Sequence, residues 1–252
     1  MVLFLFGCGF VYNDNAKGGF FVDEHHLSQR LQLVASFVNA GSRIADIGAD
    51  HAYLAASLIV NNVAEYAVAG EVARGPFENA VAEVKRQGLT GRVIPRLADG
   101  LAAINDSDRV DTVIIAGMGG SLIRKILDQG QARLATIQRL ILQPNIGAAN
   151  LRRWLADHRF QINHEQLVEE DGHIYEVIVA DPVAMPVVYN ERELIFGPLL
   201  LEQAGPVFRD KWLGELQRDE RTIQQLQKAK QSPVEREAKF KHRIDLIKEV
   251  LG

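Results

Sequence analysis

The sequence predicts an α/β protein: a mostly parallel, doubly wound sheet closed by an antiparallel hairpin and followed by a helical appendage. Three observations carry this. Short strand-like runs alternate with helical segments from Ile44 to His158, the rhythm of parallel strands joined by right-handed crossovers. Two further strand-like runs, 160–168 and 174–180, flank Asp171-Gly172, a dipeptide that favours a hairpin. Beyond Pro186 the strand pattern stops and helical spacing replaces it.

Taken in order, residues 1–22 read as a poorly specified extension. Its apolar start, Met1 to Tyr12, has no basic leader and is too short to span a bilayer. Leu27, Leu31, Val34, Ala35 and Val38 then recur at helical spacing until Gly41. The expected strands are 44–47, 67–69, 93–97, 110–116 and 140–142, and the expected helices are 51–60, 76–86, 121–129 and 148–158. Phe208, Trp212, Leu216, Ile223 and Leu226 share one helical face, and Phe240, Ile244, Ile247 and Leu251 share another. With Ser232-Pro233 as the break, these two helices are expected to form an antiparallel, coiled-coil-like hairpin. The domain reading is therefore 1–22 as extension, 23–183 as the sheet domain and 184–252 as the helical domain.

With 252 residues, 47% hydrophobic and 24% charged, the chain is a folded, soluble type rather than a disordered or membrane one. One cysteine, Cys8, permits no intramolecular disulfide and suits a reducing cytoplasm. The net charge of −4 gives no overall attraction to nucleic acid, so a polyanion would need a local basic patch. From Val207 to Gly252 eleven Lys/Arg face eight Asp/Glu, which makes the tail the candidate, although a solvated helix face has the same composition.

Chemistry concentrates at the carboxyl ends of the strands, where open α/β sheets hold ligands. The first strand runs into Asp46-Ile47-Gly48-Ala49-Asp50-His51. Gly48 permits a tight turn against a ligand, but the later glycines of a dinucleotide turn are missing, so a diphosphate is poorly served. A phosphate-free adenosyl ligand with cationic groups suits the carboxylates better. Glu71 ends the second strand, at the place where an acid accepts from ribose hydroxyls. Asp99-Gly100 follows the third strand and offers a carboxylate to an adenine amino group. Ala116-Gly117-Met118-Gly119-Gly120 follows the fourth, with Met118 more plausible as packing than as chemistry. Gln143 and Asn145 end the fifth, two amides able to read a base edge. His25-His26 lack the partners of a zinc site, and no metal is expected.

Together these words resemble the TrmK family, bacterial tRNA (adenine-22-N1)-methyltransferases, over about residues 27–180. The matching stretches are Leu27-Ser28-Gln29-Arg30-Leu31, Ala45 to Leu54, Ala69-Gly70-Glu71-Val72 with Gly75-Pro76-Phe77, Ile115 to Gly120, Leu140 to Asn145 and Tyr175-Glu176-Val177. Ala49 stands where a serine is common, and the N-terminal extension lies outside the pattern. The resemblance implies a Rossmann-like class I methyltransferase sheet, S-adenosylmethionine as cofactor, tRNA as partner and a C-terminal coiled-coil appendage. It implies cofactor contacts from Asp46, Gly48, His51, Glu71, Val72, Asp99, Gly100, Ala116, Gly117 and Met118. Asp50 is then the candidate catalytic residue, either facing the target adenine or holding the methionine amino group. Arg30, Tyr53, Gln143 and Asn145 are the candidate substrate contacts. A methyltransferase with another acceptor, or a non-catalytic RNA-binding protein, fits the same fold. The sequence leaves the oligomeric state open; a monomer is compatible with it.

Overall fold

The computed structural model describes residues 27–228 and 234–252. The expectations for residues 1–22, Cys8, His25-His26 and the Ser232-Pro233 break lie outside them.

A short helix α1 (Gln29–Ser36) begins at Ser28, whose hydroxyl accepts the Leu31 N–H at 3.3 Å, an N-cap that satisfies one orphan donor. The sheet strands are β1 (Ser42–Ile47), β2 (Ala64–Glu71), β3 (Val93–Leu97), β4 (Thr112–Met118), β5 (Arg139–Pro144), β6 (Phe160–Glu170) and β7 (His173–Pro182). Their spatial order is β3-β2-β1-β4-β5-β7-β6. The first five pair in parallel, and β7 runs antiparallel to both β5 and β6. The sheet is thus the one expected, with the order reversing between β1 and β4 and so opening a crevice at their carboxyl ends.

Crossovers are made by α2 (Tyr53–Val60), α3 (Arg74–Arg86), α4 (Gly120–Gln129) and α5 (Ala148–Asp157). Buried aliphatic clusters cover both sheet faces. One centres on Ile47, Ile115, Leu142 and Trp154, the other on Ile44, Ile59, Ile114 and Ile141. Central strands are buried on both sides, which is why β1, β4 and β5 read as nearly continuous apolar runs.

Several boundaries depart from the sequence reading: β2 extends beyond the expected 67–69 at both ends and β4 lies two residues later than 110–116, and two further departures have a local cause. The helix expected from His51 starts at Tyr53, because Asp50, His51 and Ala52 form a tight turn with φ of 31°, 60° and 60°. Apolar spacing cannot register three successive left-handed residues. The hairpin strands are also longer than expected, leaving only Asp171 (φ 51°) and Gly172 (φ 71°) as the turn. Two positive φ values make it a type I′ turn, whose twist matches the strands it joins.

After β7 come α6 (Glu191–Phe196), α7 (Pro198–Glu202), α8 (Pro206–Lys228) and α9 (Val234–Leu251). The last two pack on each other. Phe196, Leu200, Phe208, Trp212, Leu246, Ile247 and Leu251 form their own buried cluster, with Leu167 of β6 packed against it. Among the described residues no helix is long and apolar enough to cross a membrane.

Candidate active site

The crevice is built on the turn after β1. Gly48 has a φ of +75°, a backbone conformation that favours glycine, and the space a Cβ would take there is filled by the tip of the flexible Met118 side chain. The Gly48 N–H donates to the Gly70 carbonyl at 2.9 Å, tying the turn to β2. Met118 therefore acts here through packing, as its residue type suggests.

Asp46 and Glu71 end adjoining strands, and both are buried. The Asp46 Oδ2 has no hydrogen-bond partner among the described residues. Burial, reinforced by the Glu71 charge, pushes the Asp46 carboxyl up to about 7. Burial also raises Glu71, partly offset by the Asp50 N–H, which donates to the Glu71 Oε1 at 2.5 Å. A buried, unpartnered carboxylate oxygen beside a second acid is costly. It is what a pocket for a cationic, hydroxyl-bearing ligand leaves behind, and the pair fits the ammonium and ribose of S-adenosylmethionine.

The Asp50 side chain is 84% exposed, so its carboxylate stands at the crevice mouth while its own N–H is used inside. The His51 Nε2 lies 3.5 Å from the Asp50 Oδ1. The His51 ring stacks on Tyr53 with centroids 5.3 Å apart and planes 7° apart. Val72 and Asp99 stand exposed beyond β2 and β3, and the Ala98 N–H donates to the Glu71 carbonyl at 2.8 Å, which holds those two ends together. Gly100, with φ +52°, turns the chain there against Ile126.

A second group forms between β4 and β5. The Gln143 side chain is fully buried. Its Oε1 accepts from the Gly117 N–H at 2.9 Å and from the Arg30 Nη1 at 2.7 Å, while its Nε2 donates to the Asn145 Oδ1 at 3.0 Å. The Asn145 Nδ2 donates back to the Gly117 carbonyl at 2.9 Å. These bonds fix the Gly117 turn, where Ala116 is half-buried and Gly117 exposed. The expectation that Gln143 reads a base edge is thereby changed: its acceptor is already satisfied twice. Arg30 is likewise engaged. Its guanidinium lies 5.4 Å from the Tyr175 ring centroid, its Nε is 3.9 Å from the Glu170 Oε2, and its backbone N–H donates to the Glu170 Oε1 at 3.3 Å.

A buried ion cluster was not read from the sequence, although Glu176 stands in the matching stretch Tyr175-Glu176-Val177. Arg152 is fully buried, donating to Glu165 at 2.7 Å, to Glu176 at 2.5 Å and to the carbonyls of Leu194 and Ile195. Lys211 of α8 pairs with the same Glu176. Glu176 follows Tyr175, so one strand residue faces the site and the next faces the helical tail. Burial opposes its charge, but Arg152 and Lys211 hold the Glu176 carboxyl at about 2.

Residues 44–249 match the family model described as TrmK, tRNA (adenine(22)-N(1))-methyltransferase. The chain belongs to the TrmK family. A tRNA (adenine(22)-N(1))-methyltransferase of Bacillus subtilis is 39% identical over 236 residues, covering 91% of this chain and 99% of the relative. Among solved structures, Streptococcus pneumoniae Sp1610 in complex with S-adenosyl-L-methionine superposes with a TM-score of 0.82 at 41% identity, covering 90% of this chain and all of that one. Mycoplasma capricolum TrmK in complex with S-adenosyl-homocysteine gives 0.78 at 29% identity, covering 89% and 97%. The matched residues 44–249 include the carboxyl ends of all five parallel strands that border the crevice.

Proposed function

We propose that this chain transfers a methyl group from S-adenosylmethionine to N1 of adenine 22 of tRNA. The observation that carries the reading is the buried Asp46–Glu71 pair with its unpartnered oxygen at the switch point of the sheet, in a chain of the TrmK family. A tRNA substrate fits a cytoplasmic site of action.

When bound, S-adenosylmethionine supplies an electrophilic methyl group on a cationic sulfur. Adenine N1 carries an in-plane lone pair and no proton, so its attack requires no prior deprotonation. The chain's task is then to orient and to stabilise charge. Asp46, once ionised, would hold the cofactor's ammonium, and Glu71 would accept from its ribose hydroxyls. Val72, Asp99 and Gly100 would border the cofactor's adenine, and Ala116, Gly117 and Met118 would wall the methyl group. His51 and Tyr53 form a stacked edge beside the entering base. Asp50 accepts from the exocyclic amino group of the target and offsets the positive charge that N1 gains. Its 84% exposure supports a substrate-facing role over a cofactor-holding one.

The test is incubation with labelled S-adenosylmethionine and a tRNA transcript, followed by primer extension, since an N1 methyl blocks Watson–Crick pairing. A stop opposite adenine 22 is expected; a label without that stop assigns another acceptor atom, and tRNA binding without a label points to a non-catalytic protein. For Asp50→Asn, single-turnover transfer should slow by roughly 10–100-fold while cofactor affinity stays within about twofold. A weakened cofactor with an unchanged transfer rate would move Asp50 to cofactor binding.

A further inference from the structure

Ile146 is an anomaly of the crevice rim. It follows Asn145 directly, yet its side chain is 72% exposed. Single exposed apolar residues are common; the mounting of this one is not. Its carbonyl accepts the Gly120 N–H at 2.7 Å, and the preceding Asn145 N–H donates to the Met118 carbonyl at 2.8 Å. A Cβ on Gly120 would lie 2.5 Å from the Gly147 carbonyl oxygen, so the turn after β5 is pressed against the start of α4. The Asn145 side chain adds its own bond to the Gly117 carbonyl. A β-branched side chain is therefore held in water by a turn fastened at several points to the segment 117–120 at the end of β4.

The chemistry of the target supplies a use for it. N1 lies on the Watson–Crick edge, so an adenine that is paired or stacked must be rotated out before the cofactor can reach it. The gap it vacates exposes two base faces, and proteins that separate bases fill such a gap with an apolar wedge. Ile146 has the required apolarity and, being β-branched, a restricted χ1 and less rotamer freedom to lose than an unbranched side chain. Resting on the tRNA reading above, we infer that Ile146 is the base-separating residue, entering the base stack in place of the extruded adenine 22.

The test compares Ile146→Ala, Ile146→Leu and the parent on two tRNA transcripts. One is intact, and the other carries an abasic site opposite adenine 22, which removes the pairing that extrusion must break. On the intact transcript Ile146→Ala should lower kcat/KM by roughly 10–30-fold, and on the abasic one by less than about 3-fold. Ile146→Leu should recover most of the loss, and affinity for S-adenosylmethionine, read by calorimetry, should not change. With 2-aminopurine at position 22, the fluorescence rise on binding the parent should vanish in Ile146→Ala. Equal losses on both transcripts, or none on either, overturn the inference while leaving the methyl-transfer reading intact. Absence of methylation of either transcript by the parent would instead overturn that reading.

Discussion

At the scale of single residues, the crevice keeps a carboxylate where solvation opposes its charge. Asp46 has a folded pKa of about 7, well above its ordinary value of 3.8. The folded ligand-free protein therefore binds a proton more tightly than the unfolded chain does. The stability this contributes is complete below about pH 4 and is lost as pH rises through 7. A cationic ligand needs the ionised form, so cofactor affinity should rise over the same interval, with proton release on binding at pH 6. Asp46→Asn should raise the melting temperature of the ligand-free protein at pH 8, equivalent to roughly 2 kcal/mol, and abolish the melting shift given by S-adenosylmethionine. A variant that still responds to the cofactor, or melts lower at pH 8, would refute the assignment. Asp46 and Glu71 were legible in the sequence because each ends an apolar run, a position strand periodicity marks. The pairing of Arg152 with Glu176 was not, since a charge destined for a buried pair looks like any surface charge until the fold brings its partner.

At the scale of elements, α1 and the β6–β7 hairpin meet the β4 and β5 turns through Arg30. Sequence spacing located α1 and the hairpin, and Asp171-Gly172 identified the turn between the strands. It did not reveal that the hairpin tip returns to the site, because Glu170 lies 140 residues from the Arg30 N–H it accepts. We propose that this return gives Arg30 a positioning role, since it donates to the Gln143 oxygen that also accepts the Gly117 N–H. Arg30→Ala should loosen the Gly117 turn and lower kcat by roughly 10-fold or more, with the salt dependence of tRNA binding unchanged. If Arg30 instead bound a phosphate, the slope of log affinity against log salt would fall in magnitude by about one, and affinity rather than kcat would suffer.

At the scale of the whole molecule, the helical tail is less separable than its sequence suggests. The composition change after Pro186 marks where strands stop, and it invites a boundary between 183 and 184. Burial crosses that boundary. Arg152, Glu165 and Glu176 belong to the sheet domain, but their remaining bonds go to the carbonyls of Leu194 and Ile195, the Leu199 N–H and Lys211. The tail's cationic surplus is also largely committed. Arg243 pairs with Glu215 and Asp219, Lys248 with Glu220, Lys241 with Glu237 and Arg192 with Glu249. Deleting residues 190–252 would leave the sheet-domain ions without those partners and uncover Leu167. Removing part of a buried ion network typically costs about 3–5 kcal/mol, so the truncated chain should fail to give a cooperative melt. We therefore propose that the tail's contribution to tRNA be tested on the full chain, at cations without an ion pair among the described residues: Arg221, Arg236 and Lys239. Reversing all three to Glu should leave the melting temperature and S-adenosylmethionine affinity within error, yet weaken tRNA binding by roughly 10-fold or more and flatten its salt dependence. Undiminished tRNA affinity in that variant would assign the tail to holding the sheet alone and leave RNA contact to the crevice rim.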